Sequence, residues 1–136
     1  IVHCCHCSWC QRETGSAFAL NALIEARHVV CLSAEPKAVP LPSESGSGQV
    51  MYRCPSCQIA LWSIYSGAGE RFRFVRVGTL DDPGAHPPHV NIFASTKLPW
   101  VKLGGDVPVF EAYYRRTEIW PEESLKRRSA ELARSG

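Results

Sequence analysis

No stretch of this chain approaches the roughly 18 uninterrupted apolar residues that a transmembrane helix needs, so nothing in it reads as a membrane span. No basic segment leads into an apolar one, so no secretory signal is visible. Charge of one sign is scarce: the formal balance is +2, too small to argue by itself for a nucleic-acid partner. Internal repeats are lacking as well. What remains within 136 residues is one domain, with 45% hydrophobic and 21% charged residues, as in an ordinary globular chain. A disulfide framework is also missing: the cysteines number seven, an odd count, and Cys4, Cys5 and Cys7 are too crowded to pair neatly. Crowded cysteines without an export signal favour metal over disulfides and point to a cytoplasmic protein. An initial methionine is lacking too. The chain opens on Ile1-Val2, already inside what reads as a strand, so residues upstream are expected.

What is present is concentrated at the start. Four of the seven cysteines and two of the five histidines lie in His3-Cys4-Cys5-His6-Cys7-Ser8-Trp9-Cys10. Thiolates this close need a cation between them. The spacing Cys5-x-Cys7-x-x-Cys10 lets one loop wrap three sulfurs round a single ion, for which tetrahedral zinc is the usual occupant. Three ligands leave a fourth position open, as in a catalytic zinc. A fourth ligand from His3, His6 or Cys4 would instead close the site as a structural knuckle. Spacing alone leaves both arrangements standing.

Along the chain, residues 11–16 read as polar and turn-prone, and residues 17–24 as a buried segment of strand length. Residues 28–32 read as a short β-branched strand with Cys31 as a small buried apolar residue. Residues 33–49, rich in serine, proline and glycine, read as an exposed, mobile loop without core. Residues 49–53 form a strand leading into Cys54-Pro55-Ser56-Cys57, and residues 59–65 form the strand after it. The Cys-Pro-Ser-Cys turn aims two sulfurs at one metal; a redox dithiol fits less well, because that motif normally opens a helix. Residues 71–78 alternate and then slip phase between Phe74 and Val75, which a bulge or burial on both faces would explain. Residues 79–84 make a turn and residues 89–95 a further strand. Pro121-Glu122-Glu123 opens the one convincing helix, running to about Ala133. Its apolar stripe of Leu125, Leu132 and Ala133 is thin, so the helix docks weakly or serves a partner.

Cys10 and Cys54 are separated by 43 residues, too far for a small zinc ribbon. Two separate metal sites fit better. Cys5-His6-Cys7-Ser8-Trp9-Cys10-Gln11-Arg12, followed by Thr14-Gly15-Ser16-Ala17-Phe18, resembles the signature of the glutathione-dependent formaldehyde-activating enzymes, a family that includes relatives of centromere protein V. Arg53-Cys54-Pro55-Ser56-Cys57 is similar to that family's second cysteine pair. Gly78-Thr79-Leu80-Asp81-Asp82-Pro83 is similar to its later turn, and Trp100 falls where the family often has tryptophan. The likeness covers roughly residues 1–110, a zinc-binding domain, with residues 111–136 as a C-terminal extension carrying the helix.

The resemblance implies a mainly β, Mss4-like fold of two short antiparallel sheets stapled by zinc. It implies a catalytic zinc on Cys5, Cys7 and Cys10. It also implies a four-cysteine structural zinc to which Cys54 and Cys57 contribute half. The implied activity is carbon–sulfur lyase chemistry, joining glutathione and formaldehyde into S-hydroxymethylglutathione. Two departures stand out: the other half of the structural site, a C-x-C, would lie before residue 1, and Gln58 replaces the family's usual glycine. Arg12, Arg53, Arg71, Arg73 and Arg76 are candidates for holding the carboxylates of glutathione. His6 reads as a supporting or exposed residue rather than a proton shuttle. A rival reading is a non-catalytic zinc-binding thiol carrier or interaction module, with Lys126-Arg127-Arg128 facing an acidic partner or simply solvent.

Overall fold

The computed structural model describes residues 1–134; the last two residues of the expected extension lie outside the described residues. Seven strands account for most of the regular structure: β1 (Val2–Cys5), β2 (Ala19–Glu25), β3 (Lys37–Leu41), β4 (Gln49–Arg53), β5 (Ala60–Tyr65), β6 (Phe72–Arg76) and β7 (Val90–Ile92). Three helices accompany them: α1 (Ser8–Thr14), α2 (Arg116–Ile119) and α3 (Glu122–Ala133). The mainly β architecture with a C-terminal helix is therefore present. Hydrogen bonding joins all seven strands into one sheet in the order β3-β4-β5-β6-β2-β1-β7 rather than into two. Neighbours are antiparallel except β1 and β7, which are parallel.

Several local expectations are corrected. The polar residues after the cysteines form most of helix α1, not a turn. Cys7 caps it, its sulfur accepting the Cys10 N–H at 3.3 Å. Gly15 ends it in the left-handed region at φ 65°, its N–H donating to the Gln11 carbonyl. Residues 28–32 are not a strand. Ala26–His28 is a 3-10 turn, Val30 and Leu32 are exposed, and Cys31 is only half-buried. β-branched residues favour a strand only where a neighbour offers a ladder and a face to pack on, and here none does. The stretch 33–49 is not all loop, since it contains β3. That strand pairs only with β4, so Pro40 sits on a sheet edge, where proline's missing N–H is tolerated.

The phase slip in β6 reflects partial burial on both faces, for β6 runs in unbroken register along β2. The ladder irregularity lies between Tyr52 and Arg53 instead. Helix α3, thin in apolar residues, is anchored mainly by polar contacts. Arg127 donates twice to Glu25, at 2.9 and 2.6 Å, and Arg27 donates to Glu131 at 2.9 Å. Arg71 donates to the Glu131 carbonyl oxygen at 2.6 Å, and Leu125 adds the apolar contact.

The core that positions the cysteines gathers Cys5, Cys7, Cys10, Ala19, Val90, Ile92, Tyr114 and Trp120. The backbone of residues 108–112 hydrogen-bonds along β7 and its continuation, so the chain after the sheet closes over the cysteine end. Among the described residues no helix is long and apolar enough to cross a membrane.

Candidate metal centre and cleft

Successive residues of a strand point to opposite faces, so the adjacent Cys4 and Cys5 on β1 separate. Cys5, at the strand's end, faces the core. Cys7 caps α1 and Cys10 lies in its first turn, so strand end and helix start together supply three sulfurs. All three are buried, and their sulfur atoms lie within 4.8 Å of one another. Tetrahedral zinc with arms of about 2.3 Å places sulfurs about 3.8 Å apart, within that limit. The three thus fit a metal ion. The chemistry of the donor set agrees. Hydrogen bonds from the Cys10 and Cys5 thiols hold Cys7 low, whereas hydrogen bonding to Cys10 and Cys7, with burial, pushes Cys5 far up. Only one thiolate is favoured among protein groups alone; a cation is what would permit three.

The residues considered for closing the site are engaged elsewhere. Nε2 of His6 donates to Oδ1 of Asn91 at 3.0 Å and lies 3.4 Å from the Cys4 sulfur. His6 is fully buried rather than exposed, with the Phe18 ring edge-on to it. Burial raises the Cys4 thiol to about 12. On the other face His3 meets the Tyr114 hydroxyl at 2.6 Å, and that oxygen also accepts the Trp120 indole N–H at 2.7 Å. Burial above all lowers His3 to about 3 and keeps it neutral. Among the described residues no fourth His, Cys, Asp or Glu donor joins the three sulfurs.

Around the centre, the His6 carbonyl accepts from Gln11 Nε2 at 2.8 Å and from Thr96 Oγ1 at 3.1 Å, while the His6 N–H donates to the Ile92 carbonyl. Gln11 also donates to the Thr96 carbonyl. These contacts tie the cysteine loop to the end of β7. Sequence reasoning missed Gln11, Asn91, Thr96 and Glu13 as supporting groups. Gln11 stood in the sequence only as part of the cysteine signature and Glu13 only within a stretch that read as a turn; Asn91 and Thr96 carried no signal.

Cys54 and Cys57 are not part of the cluster. They lie in the turn after β4, Cys54 half-buried and Cys57 exposed, and no third donor gathers with them among the described residues. Backbone N–H groups of Cys57 and Ser56 lower the Cys54 thiol. The turn keeps its shape despite Gln58, which adopts the left-handed conformation at φ 62° that glycine would take without cost. Its N–H donates to the Cys54 carbonyl at 2.9 Å and its side chain to the Pro55 carbonyl at 3.0 Å. Trp100 is exposed and takes no part.

Beside the centre a cleft of about 450 Å³ opens between α1, β2 and the β4–β5 turn. Glu13, Arg53 and Arg76 are its charged lining. Glu13 accepts from Arg53 through one carboxylate oxygen and from Arg76 through the other, both at 2.5 Å, and Arg76 also donates to Asn21. The other expected arginines lie outside the cleft lining. Arg12 stacks over Trp9, Arg71 holds α3, and Arg73 donates to the Glu70 carbonyl.

A comparison with curated proteins finds no match. The family model for glutathione-dependent formaldehyde-activating enzyme matches residues 1–96. That span holds the three-sulfur cluster, the cleft and the second cysteine pair. With its mainly β, Mss4-like fold, the chain belongs to the glutathione-dependent formaldehyde-activating enzyme family.

Proposed function

We propose that this protein is a zinc-dependent carbon–sulfur lyase that joins glutathione to formaldehyde as S-hydroxymethylglutathione. In the reaction the thiol sulfur bonds to the carbonyl carbon, the carbon–oxygen π pair moves onto oxygen, and the thiol proton ends on that oxygen. Cys5, Cys7 and Cys10 hold the metal. Bound zinc supplies the Lewis acidity that favours thiolate over thiol and polarises an aldehyde. The chain's own contribution is positional. Gln11, Thr96 and Asn91 fix His6 between two ligands, the Cys10 N–H supports the Cys7 sulfur, and the apolar core keeps water from the sulfurs. The observation that carries this reading is the convergence of three sulfurs without a fourth protein donor among the described residues.

The depth of those sulfurs, each no more than 5% exposed, favours a second reading: a zinc-stapled carrier or interaction module without turnover. Two variants and two readouts separate the cases. Cys7→Ser is expected to lose the zinc and all glutathione-dependent consumption of formaldehyde, while Cys31→Ser, away from the cluster, keeps both. Zinc bound without turnover in the unaltered chain supports the module; full zinc retention in Cys7→Ser removes the metal assignment.

A further inference from the structure

We propose that Arg53 reads a carboxylate of the thiol substrate, so that the cleft beside the cysteines selects thiols that carry an acid group. The proposal rests on the reading of the cysteine cluster as the thiol site. It follows first from charge. The cleft lining holds two guanidinium groups against one carboxylate, an excess of one positive charge that an incoming carboxylate would balance.

The two arginines are not equivalent. The Arg76 side chain is 8% exposed and engaged by Glu13 and Asn21, so it is a fixed part of the wall. Arg53 is 25% exposed and uses Nη2 on Glu13 and Nη1 on the Gln58 carbonyl. A guanidinium carries five N–H donors, so most of its fork is free among the described residues. Glu13 and Gln58 hold that fork in place, which lowers the cost of ordering it when an anion arrives.

Position supports the same assignment. Glu13 and Thr14 lie about one helical turn beyond Cys10, roughly 5 Å along α1, and the Thr14 hydroxyl donates to the Cys10 carbonyl at 2.8 Å. Ala19, also in the cleft lining, stands opposite Cys5 in the β1–β2 register. The cleft wall therefore reaches the sulfurs through Ala19, which packs with Cys5, Cys7 and Cys10, while no cysteine itself lines it. Its lip is apolar: Ile59 is 55% exposed there, and Phe18 is half-buried. A flexible acid-bearing thiol suits that order of surfaces, with sulfur toward the cysteines, methylene groups over Ile59 and the carboxylate on Arg53.

The test uses S-methylglutathione, which keeps both carboxylates but has no thiol, so that binding is read without turnover. Titration calorimetry on the zinc-loaded chain is expected to show binding that Arg53→Gln weakens about tenfold or more, the usual scale for losing a charge-assisted hydrogen bond. Arg53→Lys recovers part of it. Ile59→Glu, which leaves the Glu13 pairs intact, also weakens binding by repulsion, and Arg12→Gln leaves it unchanged. In steady state Arg53→Gln raises the KM for glutathione but not for 2-mercaptoethanol. Absent S-methylglutathione binding by the unaltered chain overturns the proposal, as does binding by Arg53→Gln and Ile59→Glu as tight as that of the unaltered chain. Binding that depends on Arg53 in a chain without turnover leaves the proposal standing and removes the lyase reading instead.

Discussion

Glu13 is an unlikely place for a carboxylate on local grounds. It sits in the last turn of α1, where the helix dipole disfavours negative charge. Its side chain is 6% exposed between guanidinium groups that are 8% and 25% exposed. Glu13→Gln keeps the shape and removes the charge. The amide oxygen can still accept from one arginine, but the NH₂ group then faces the other, donor against donor. Breaking one side of a buried ion pair costs about 3–5 kcal/mol. Arg53 is exposed enough for water to recover part of that, so the loss should be near the lower end, about 3 kcal/mol. For a chain of this size that lowers Tm by roughly 10 °C. Glu122→Gln is the matched control: its partner Lys126 lies 2.6 Å away, but both side chains are over 70% exposed. Such a pair contributes about 0.5 kcal/mol or less. Calorimetry at one fixed excess of zinc keeps metal linkage equal across the set. A Glu13→Gln shift within a degree of the Glu122→Gln shift would show that the buried pairs do not stabilise the fold as argued. A second reading of the same network is non-additivity: Arg53→Met should cost less in a Glu13→Gln background than alone.

Other predictions concern the periphery of the site. Gln58→Val should destabilise by more than about 1 kcal/mol, because a β-branched residue strains at φ 62°, whereas Gln58→Gly should be tolerated; equal urea midpoints for the two would contradict the turn geometry. Hydrogen bonds from Arg127 hold Glu25 below its usual value of about 4.5. A depressed carboxylate stabilises the fold above that value, and the contribution is lost as pH falls through the lower folded pKa. The stability gap between the unaltered chain and Arg127→Met should therefore be open at pH 6 and shrink below pH 4. A gap independent of pH would mean that Arg127 acts only by packing.

The cysteine spacing was sufficient to bring Cys5, Cys7 and Cys10 together, because side chains within six residues meet through local geometry alone. The strand end at Cys5, the cap at Cys7 and the stop at Gly15 are all local devices, and they make α1 legible in retrospect. The strands at residues 49–53 and 59–65 and the helix opened by Pro121 were legible for the same reason: period, turn residues and first-turn acids act within a few positions. What tertiary structure decided is everything that depends on a distant neighbour. Residues 28–32 have strand composition but no ladder to join, while residues 37–41 have loop neighbours and do join one. Cys4 and His6, equal to the three gathered cysteines in spacing, are turned away by strand alternation and by Asn91, 85 positions from His6. Five arginines looked alike in sequence. Only the fold distinguishes Arg76, locked in the wall, from Arg53, held beside an open cleft, because burial and counter-charge come from residues 40 to 63 positions away.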